Sequence, residues 1–276
     1  MPRPCDRPRV FSCSAVPLLL LWLAACGPIT VSQEQRLGYE FEHEMRRELV
    51  FVHDRVVRGY VSDMGAQLVR AVGSQPFDYH FYVVDDDEIN AFAGPAGHIY
   101  IHTETILKAR NASELAGVIA HEVGHVALRH VANNYNRQRN TKVGRDILVA
   151  SASILGGGAV GSAAQLGTGL AAMAYLNSFG REAEMEADIF AVEVLTEVGY
   201  DPSGLITFFQ TLAHEAQGKP QAPGFLSSHP ATSDRIESTS AAIEALPSTL
   251  GLRVNDGGKL EIIQRRILLL TSDHGR

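Results

Sequence analysis

Two histidines and a glutamate, His121, Glu122 and His125, stand in the order H-E-x-x-H inside the stretch ELAGVIAHEVGHVALRH. On a helix, residues four apart lie one above the other on the same face. Two imidazoles so placed can hold one metal ion, and Glu122 then lies beside the remaining coordination position. That is the residue set of a zinc hydrolase: two histidine ligands and a carboxylate that takes a proton from a water polarised by the metal. A second acidic pair follows in Gly180-Arg181-Glu182-Ala183-Glu184-Met185-Glu186-Ala187-Asp188. Glu184 and Asp188 also share a helix face. Glu184 can supply a third ligand, and Asp188 can accept a hydrogen bond from a ligand imidazole and fix its tautomer. Three protein ligands leave one position open, the mark of a catalytic zinc, here one per chain.

Both segments read as helices. Asn111 and Glu114 form an N-x-x-E pattern resembling a capping box just ahead of the motif. Leu115, Val118, Ile119, Val123, Val126 and Leu128 make the first helix apolar on most sides, hence buried. Imidazoles and a carboxylate are costly in such a helix unless compensated, and a cation is the simplest compensation. The second helix opens on acidic residues, which suits its dipole, and runs on into Ile189, Phe190, Val192, Val194 and Leu195. Upstream, Tyr79 to Val84 reads as a strand, and the segment from Asn90 to Ile101 as strand, turn, strand. A short sheet there can offer an edge, at Asn90, Ala91 and Phe92, that holds an extended peptide by backbone hydrogen bonds. Asp85, Asp86, Asp87 and Glu88 read as a solvated turn, since no regular calcium-loop spacing follows. His98 and His102 read as ordinary strand residues, and His43, His53, His80, His130 and His214 as solvated or core residues.

Further helices are expected over Ser32 to Asp54, with Leu37, Phe41, Met45 and Leu49 at helical spacing, and over Val56 to Val72, with Tyr60, Met64, Leu68 and Val72 on one face. Val254 to Leu270 looks like a last amphipathic helix. Ile147 to Gly180 carries no charged residue, which raises the question of a membrane span. Its many glycines favour a small-residue hairpin over the active site or close to the membrane surface.

The 276 residues suffice for one substantial domain, and 45% hydrophobic with 20% charged residues is ordinary for a globular protein. A net charge of -7 without a basic cluster argues against nucleic acid as a partner. Cys5, Cys13 and Cys26 all lie near the N-terminus, so neither a disulfide framework nor a thiolate zinc site is expected. There Arg3, Arg7 and Arg9 precede an apolar run from Val16 to Ala25, the pattern of a signal peptide. Its end, Leu23-Ala24-Ala25-Cys26, resembles the bacterial lipobox, which implies acylation of Cys26 and anchoring to a membrane. Gly27 after the cysteine favours the outer membrane, by resemblance to enterobacterial lipoproteins.

H-E-V-G-H followed by R-E-A-E-M-E-A-D resembles the zinc peptidase family that includes HtpX and the CAAX prenyl proteases, in its periplasmic BepA-like branch. Asn90-Ala91-Phe92-Ala93 and the following Pro-Ala-Gly resemble that family's edge strand, with Ala96 where a glycine is usual and Glu104 where a small residue is common. The similarity runs from about Leu37 to about Leu246. It implies His121, His125 and Glu184 as zinc ligands, Glu122 as general base and Asp188 behind a ligand. Ser228-His229-Pro230, followed by Asp234-Arg235-Ile236, resembles the family's T-H-P segment, which implies a role for His229 near the metal: stabilising the oxyanion or closing the open position. The expected fold is α+β and mostly helical, a zincin-like metallopeptidase domain with a small β-sheet beside the H-E-x-x-H helix. Residues 1–25 are expected as a lipoprotein signal peptide, 26–36 as the lipid-anchor linker, 37–246 as the metallopeptidase domain and 247–276 as a C-terminal amphipathic helix and tail. The resemblance implies an endopeptidase of the bacterial periplasm, with unfolded or misassembled envelope proteins as substrates and the outer-membrane assembly machinery as a partner. A zinc-containing chaperone or assembly factor whose protease is latent, held off by His229, uses the same residues and stays open.

Overall fold

The computed structural model describes residues 28–137, 179–216 and 224–272. The N-terminal segment with Cys26 and nearly all of the uncharged stretch from Ile147 lie outside the described residues. In order come α1 (Val31–Glu48), α2 (Arg55–Val72), β1 (His80–Val84), β2 (Ala91–Ala93), β3 (His98–His102), α3 (Thr103–Lys108) and α4 (Ala112–Ala127). Then follow α5 (Arg181–Glu197), α6 (Ser203–Ala216), α7 (Gly224–Ser228), α8 (Ser233–Glu244) and α9 (Lys259–Ser272). The described residues form a mostly helical fold with a small mixed sheet. Among the described residues no helix is long and apolar enough to cross a membrane.

The metal-binding motif sits on α4, which is the axis of the core. Every residue from Ala112 to Val126 is buried. The helix packs on α5 and α6, with α2 and β2 completing its surroundings. Full burial of Leu115, Val118, Ile119 and Val123 contributes about 1.5–3 kcal/mol per side chain, which offsets the cost of the polar residues on the same helix. Gly124 lies between the two motif histidines, where a Cβ would meet Ala187 and Phe190 of α5 at 3.4 and 3.0 Å. Its lack of a side chain lets α5 approach closely enough to bring acids to the histidines. At the start of α4, the Asn111 side chain accepts from the Glu114 N–H at 2.9 Å. The Glu114 carboxylate reaches past the expected box position to the N–H of Arg110, at 2.8 Å, and to its guanidinium.

The sheet runs β1-β3-β2, with β1 parallel and β2 antiparallel to β3. Strand periodicity sorts its faces. Ile99, Ile101, Ala91 and Ala93 belong to the main core, while Phe92 and Tyr100 join Phe41 and Met45 of α1 in a smaller cluster on the other face. The alanines let β2 lie against α4. Helix α1 stops at Glu48, short of the expected Asp54, because the next residues join the sheet: Val52 N–H bonds to the Val83 carbonyl at 2.9 Å and Asp85 N–H to that of Val50 at 2.8 Å. Asp54 instead caps α2, accepting from the N–H groups of Val56 and Val57, both at 3.0 Å. The buried stripe of α2 is Val57, Val61, Met64, Gly65 and Leu68, with Tyr60 and Val72 at its margin. Ala96, in the turn after β2, has φ +56, a left-handed conformation that disfavours any residue with a Cβ; this is where a glycine was the usual residue. Helix α9 closes the base of the domain, its Gln264 amide donating to the carbonyls of Ile106 and Ala109 at 2.9 and 2.7 Å.

His98 is more than an ordinary strand residue. Its ring stacks on His80 at 5.2 Å, and Nδ1 lies 3.0 Å from the Tyr82 hydroxyl. Burial, followed by His80, pushes its pKa down from 6.5 to about 4. The unfolded chain then binds the extra proton between those values, so this contribution is complete above pH 6.5 and is lost as pH falls toward 4. We expect stability to drop over that window by up to about 2 kcal/mol, allowing for the partly open ring. Denaturant midpoints measured from pH 7 to 4 for the parent and His98→Phe check this. The substitution flattens the slope; an unchanged slope would exclude His98 as its source.

Candidate metal centre

Three elements build the site. Helix α4 contributes His121, Glu122 and His125, α5 contributes Glu184 and Asp188, and the segment between α7 and α8 contributes His229. All six are buried, with His121, Glu122, His125, Asp188 and His229 at 0% exposure and Glu184 at 2%. Nε2 of His121 faces Nε2 of His125 at 3.0 Å. The Glu184 carboxylate lies 3.5 Å from each of these nitrogens, through Oε2 and Oε1 respectively. His229 Nδ1 comes within 2.9 Å of Glu184 Oε1 and 3.3 Å of His121 Nε2. One donor atom from each of His121, His125, Glu184 and His229 thus lies within 4.8 Å of the others, and the group is capable of coordinating a metal ion. Imidazole nitrogens converging on one another and on a carboxylate in a dry interior fit a cation and fit little else.

Glu122 stands beside this cluster with neither carboxylate oxygen in a full hydrogen bond. Burial pushes it up to about 8, opposed by His229 and by the Ala93 backbone N–H. His229 Nε2 is 3.5 Å from Glu122 Oε1, so one ring spans the distance from the ligands to Glu122. Burial also pushes Glu184 upward, but His229 and His121 outweigh it and hold the carboxyl far below the usual range. For His121, burial lowers the pKa, yet Asp188 and Glu184 more than reverse this. His121 Nδ1 is 2.9 Å from Asp188 Oδ1, which leaves Nε2 for the cluster.

The sequence-predicted residues therefore meet, with Asn90, Ala91 and Phe92 close by. Phe92 faces Tyr100 in the antiparallel ladder and stacks on its ring at 4.8 Å. Asn90 and Gly94 also turn their backbones to β3, through the His102 N–H and the His98 carbonyl. By alternation, the backbone groups of Ala91 and Ala93 point to the open edge, toward Glu122.

In the sequence, Arg235 stands in the Asp234-Arg235-Ile236 run after His229, with no role assigned to it. It is 1% exposed. Its guanidinium grips Asp188 twice, Nε to Oδ2 and Nη2 to Oδ1, both at 2.7 Å, and reaches Glu184 Oε2 with Nη1 at 2.8 Å. Burial pushes the Asp188 carboxyl up, and Arg235 with His121 holds it down. The signal that points to Arg235 is charge balance: two buried carboxylates on α5 need a cation beyond one imidazole. His130, 7% exposed, is a core residue, and it also touches His125. Phe179 covers the same ligand, its ring stacked on His125 at 3.9 Å.

The profile of peptidase family M48 matches residues 57–243. The chain is 32% identical over 232 residues to the beta-barrel assembly-enhancing protease of Escherichia coli (strain K12), an alignment covering 82% of this chain and 47% of that protein. It is 34% identical over 167 residues to metalloprotease LoiP of the same organism (60% and 62% covered) and 30% over 176 residues to its metalloprotease YcaL (62% and 66%). The chain spans about half the length of the beta-barrel assembly-enhancing proteases it matches.

Proposed function

The chain belongs to peptidase family M48, and from that premise we propose that it is a zinc-dependent endopeptidase of the bacterial cell envelope that cleaves unfolded or misassembled proteins. The observation that carries this reading is the convergence of His121, His125 and Glu184 beside a buried Glu122 with neither carboxylate oxygen in a full hydrogen bond. His121, His125 and Glu184 would hold the zinc, which when bound supplies a Lewis acid that polarises a carbonyl and acidifies a water. Asp188, clamped by Arg235, keeps His121 in the tautomer that offers Nε2. An extended substrate pairs with the backbone groups of Ala91 and Ala93, which brings a peptide bond alongside Glu122. Glu122 takes the proton of the attacking water and passes it to the leaving amine. At the carbonyl oxygen, His229 donates to the developing negative charge.

A second reading is favoured by one contact. His229 Nδ1 lies among the ligands, 2.9 Å from Glu184, where it can serve as a fourth donor and close the position a water needs. The protein is then latent, a chaperone or assembly factor until His229 withdraws. In either case the lipobox at Leu23–Cys26 supports a lipid anchor, and the kinship with a beta-barrel assembly-enhancing protease supports the periplasmic face of the outer membrane, near its assembly machinery.

Casein cleavage by the full chain, with bound metal quantified, tests both. We expect one zinc per chain, cleavage lost when a chelator removes it, and recovery when zinc is returned. Cleavage at the parental rate by metal-free chain would end the metallopeptidase reading. His229→Ala separates the two roles: lower activity assigns His229 to the oxyanion, higher activity to the latch, and an unchanged rate rejects both.

A further inference from the structure

The geometry points to His130 as a positioning residue that holds the His125 imidazole for the metal, with Glu186 holding His130 in turn; this rests on the metallopeptidase reading. The observation is a chain of three side chains. His125 turns Nε2 to the cluster, which leaves Nδ1 for another partner. That partner is His130, Nδ1 to Nδ1 at 3.1 Å. Two ring nitrogens at that distance share one proton. With Nε2 of His125 committed to a cation, its neutral ring carries the proton on Nδ1 and donates it to His130 Nδ1. His130 then carries its own proton on Nε2, 3.0 Å from Glu186 Oε2, and donates there. Each ring's tautomer is set by the next member of the chain.

The backbone is shaped for this contact. A continuing α4 would carry position 130 about 140° around the helix from His125. Instead α4 ends at Ala127, Arg129 takes φ +62, and a new helical stretch begins at His130. That left-handed conformation disfavours a residue with a side chain. It is held from outside by Glu34 of α1, 1% exposed, whose Oε2 lies 2.5 Å from Arg129 Nη2. A strained non-glycine residue kept in place by an ion pair to a buried carboxylate presents its neighbour to a ligand, which is where such strain is found.

The two histidine ligands are thereby supported unequally. His121 leans on a buried carboxylate that is itself clamped by Arg235. His125 leans on a neutral ring whose own anchor, the Glu186 side chain, is 65% exposed. The His125 arm is the one through which the surface reaches the metal.

Zinc affinity of the full chain, read by competition with a chromogenic chelator, tests this. We expect His130→Leu to weaken zinc binding about 10- to 100-fold, with the unfolding midpoint of the metal-free chain near the parent's. His130→Asn, whose side-chain oxygen stands where Nδ1 stood, restores most of the loss. Glu186→Ala weakens binding by less, and adds nothing in the His130→Leu background. The inference is overturned by parental affinity in His130→Leu or Glu186→Ala, by a His130→Asn chain as weak as His130→Leu, or by a Glu186→Ala effect undiminished without His130. Should His130→Leu fail to fold, the asparagine and Glu186 variants decide alone. A parent that holds no zinc overturns the metallopeptidase reading and this inference with it.

Discussion

Glu122→Gln is expected to leave zinc at one per chain while casein cleavage falls by at least about 10²-fold, the usual range for a lost general base reaching 10⁴. The substitution is isosteric at a fully buried position, so packing is kept. What disappears is the ability to accept a proton, and with it the step that hands a proton to the leaving amine. Glutamine also removes a carboxylate whose pKa burial has pushed up to about 8, so the variant should unfold at a temperature no lower than the parent's. Activity, metal content and thermal midpoint measured on one preparation decide the matter. Parental cleavage with zinc bound would move the base elsewhere, and loss of zinc would make Glu122 a ligand rather than a base.

Arg235→Met is expected to destabilise the metal-free chain by about 3–5 kcal/mol, the cost of removing one partner from a buried ion pair. Methionine fills most of the volume, so the loss is electrostatic. Asp188 and Glu184 then stand buried with only imidazoles to offset them, and both are groups that Arg235 contacts at 2.7–2.8 Å. Bound zinc supplies replacement charge, so the deficit should shrink when metal is present. Arg235→Lys restores a charge without the fork that reaches Asp188 through two nitrogens and falls between parent and methionine variant. Urea unfolding of the parent and both variants, each with and without zinc, measures these differences. A methionine variant within about 1 kcal/mol of the parent in the metal-free state would show that the fork does not carry the acids of α5.

How far the site could be read from sequence follows from how local each relationship is. The histidines of α4 and the acids of α5 are each four residues apart, so helical geometry alone places them on shared faces, and the short apolar segments before the motif announce the sheet. Arg235 lies on a separate helix, in a short run of polar and small residues that gives no sign of burial. Its role emerges once the charges on α5 are counted and found unbalanced. His130 is hidden for the opposite reason. Periodicity is a good guide along α4, and it directs position 130 away from His125; the reversal at Arg129 depends on Glu34, remote in sequence. The early end of α1 has a similar origin, since Val50 and Val52 are recruited by β1, a partner that local propensity does not see.

The Arg235 clamp has a consequence for how the protein comes into being. Synthesis proceeds from the N-terminus, so the helix bearing His121 and Glu122 emerges before Glu184, and Glu184 before Arg235. Until α8 has been made and has docked, the acids of α5 have no fixed cation from the chain, and a bound metal is what remains to offset them. A prematurely terminated product that ends upstream of Arg235 is therefore expected to hold its metal centre less firmly, even with every histidine of α4 in place. The metal centre is completed only once Arg235 has been made, near the end of the chain.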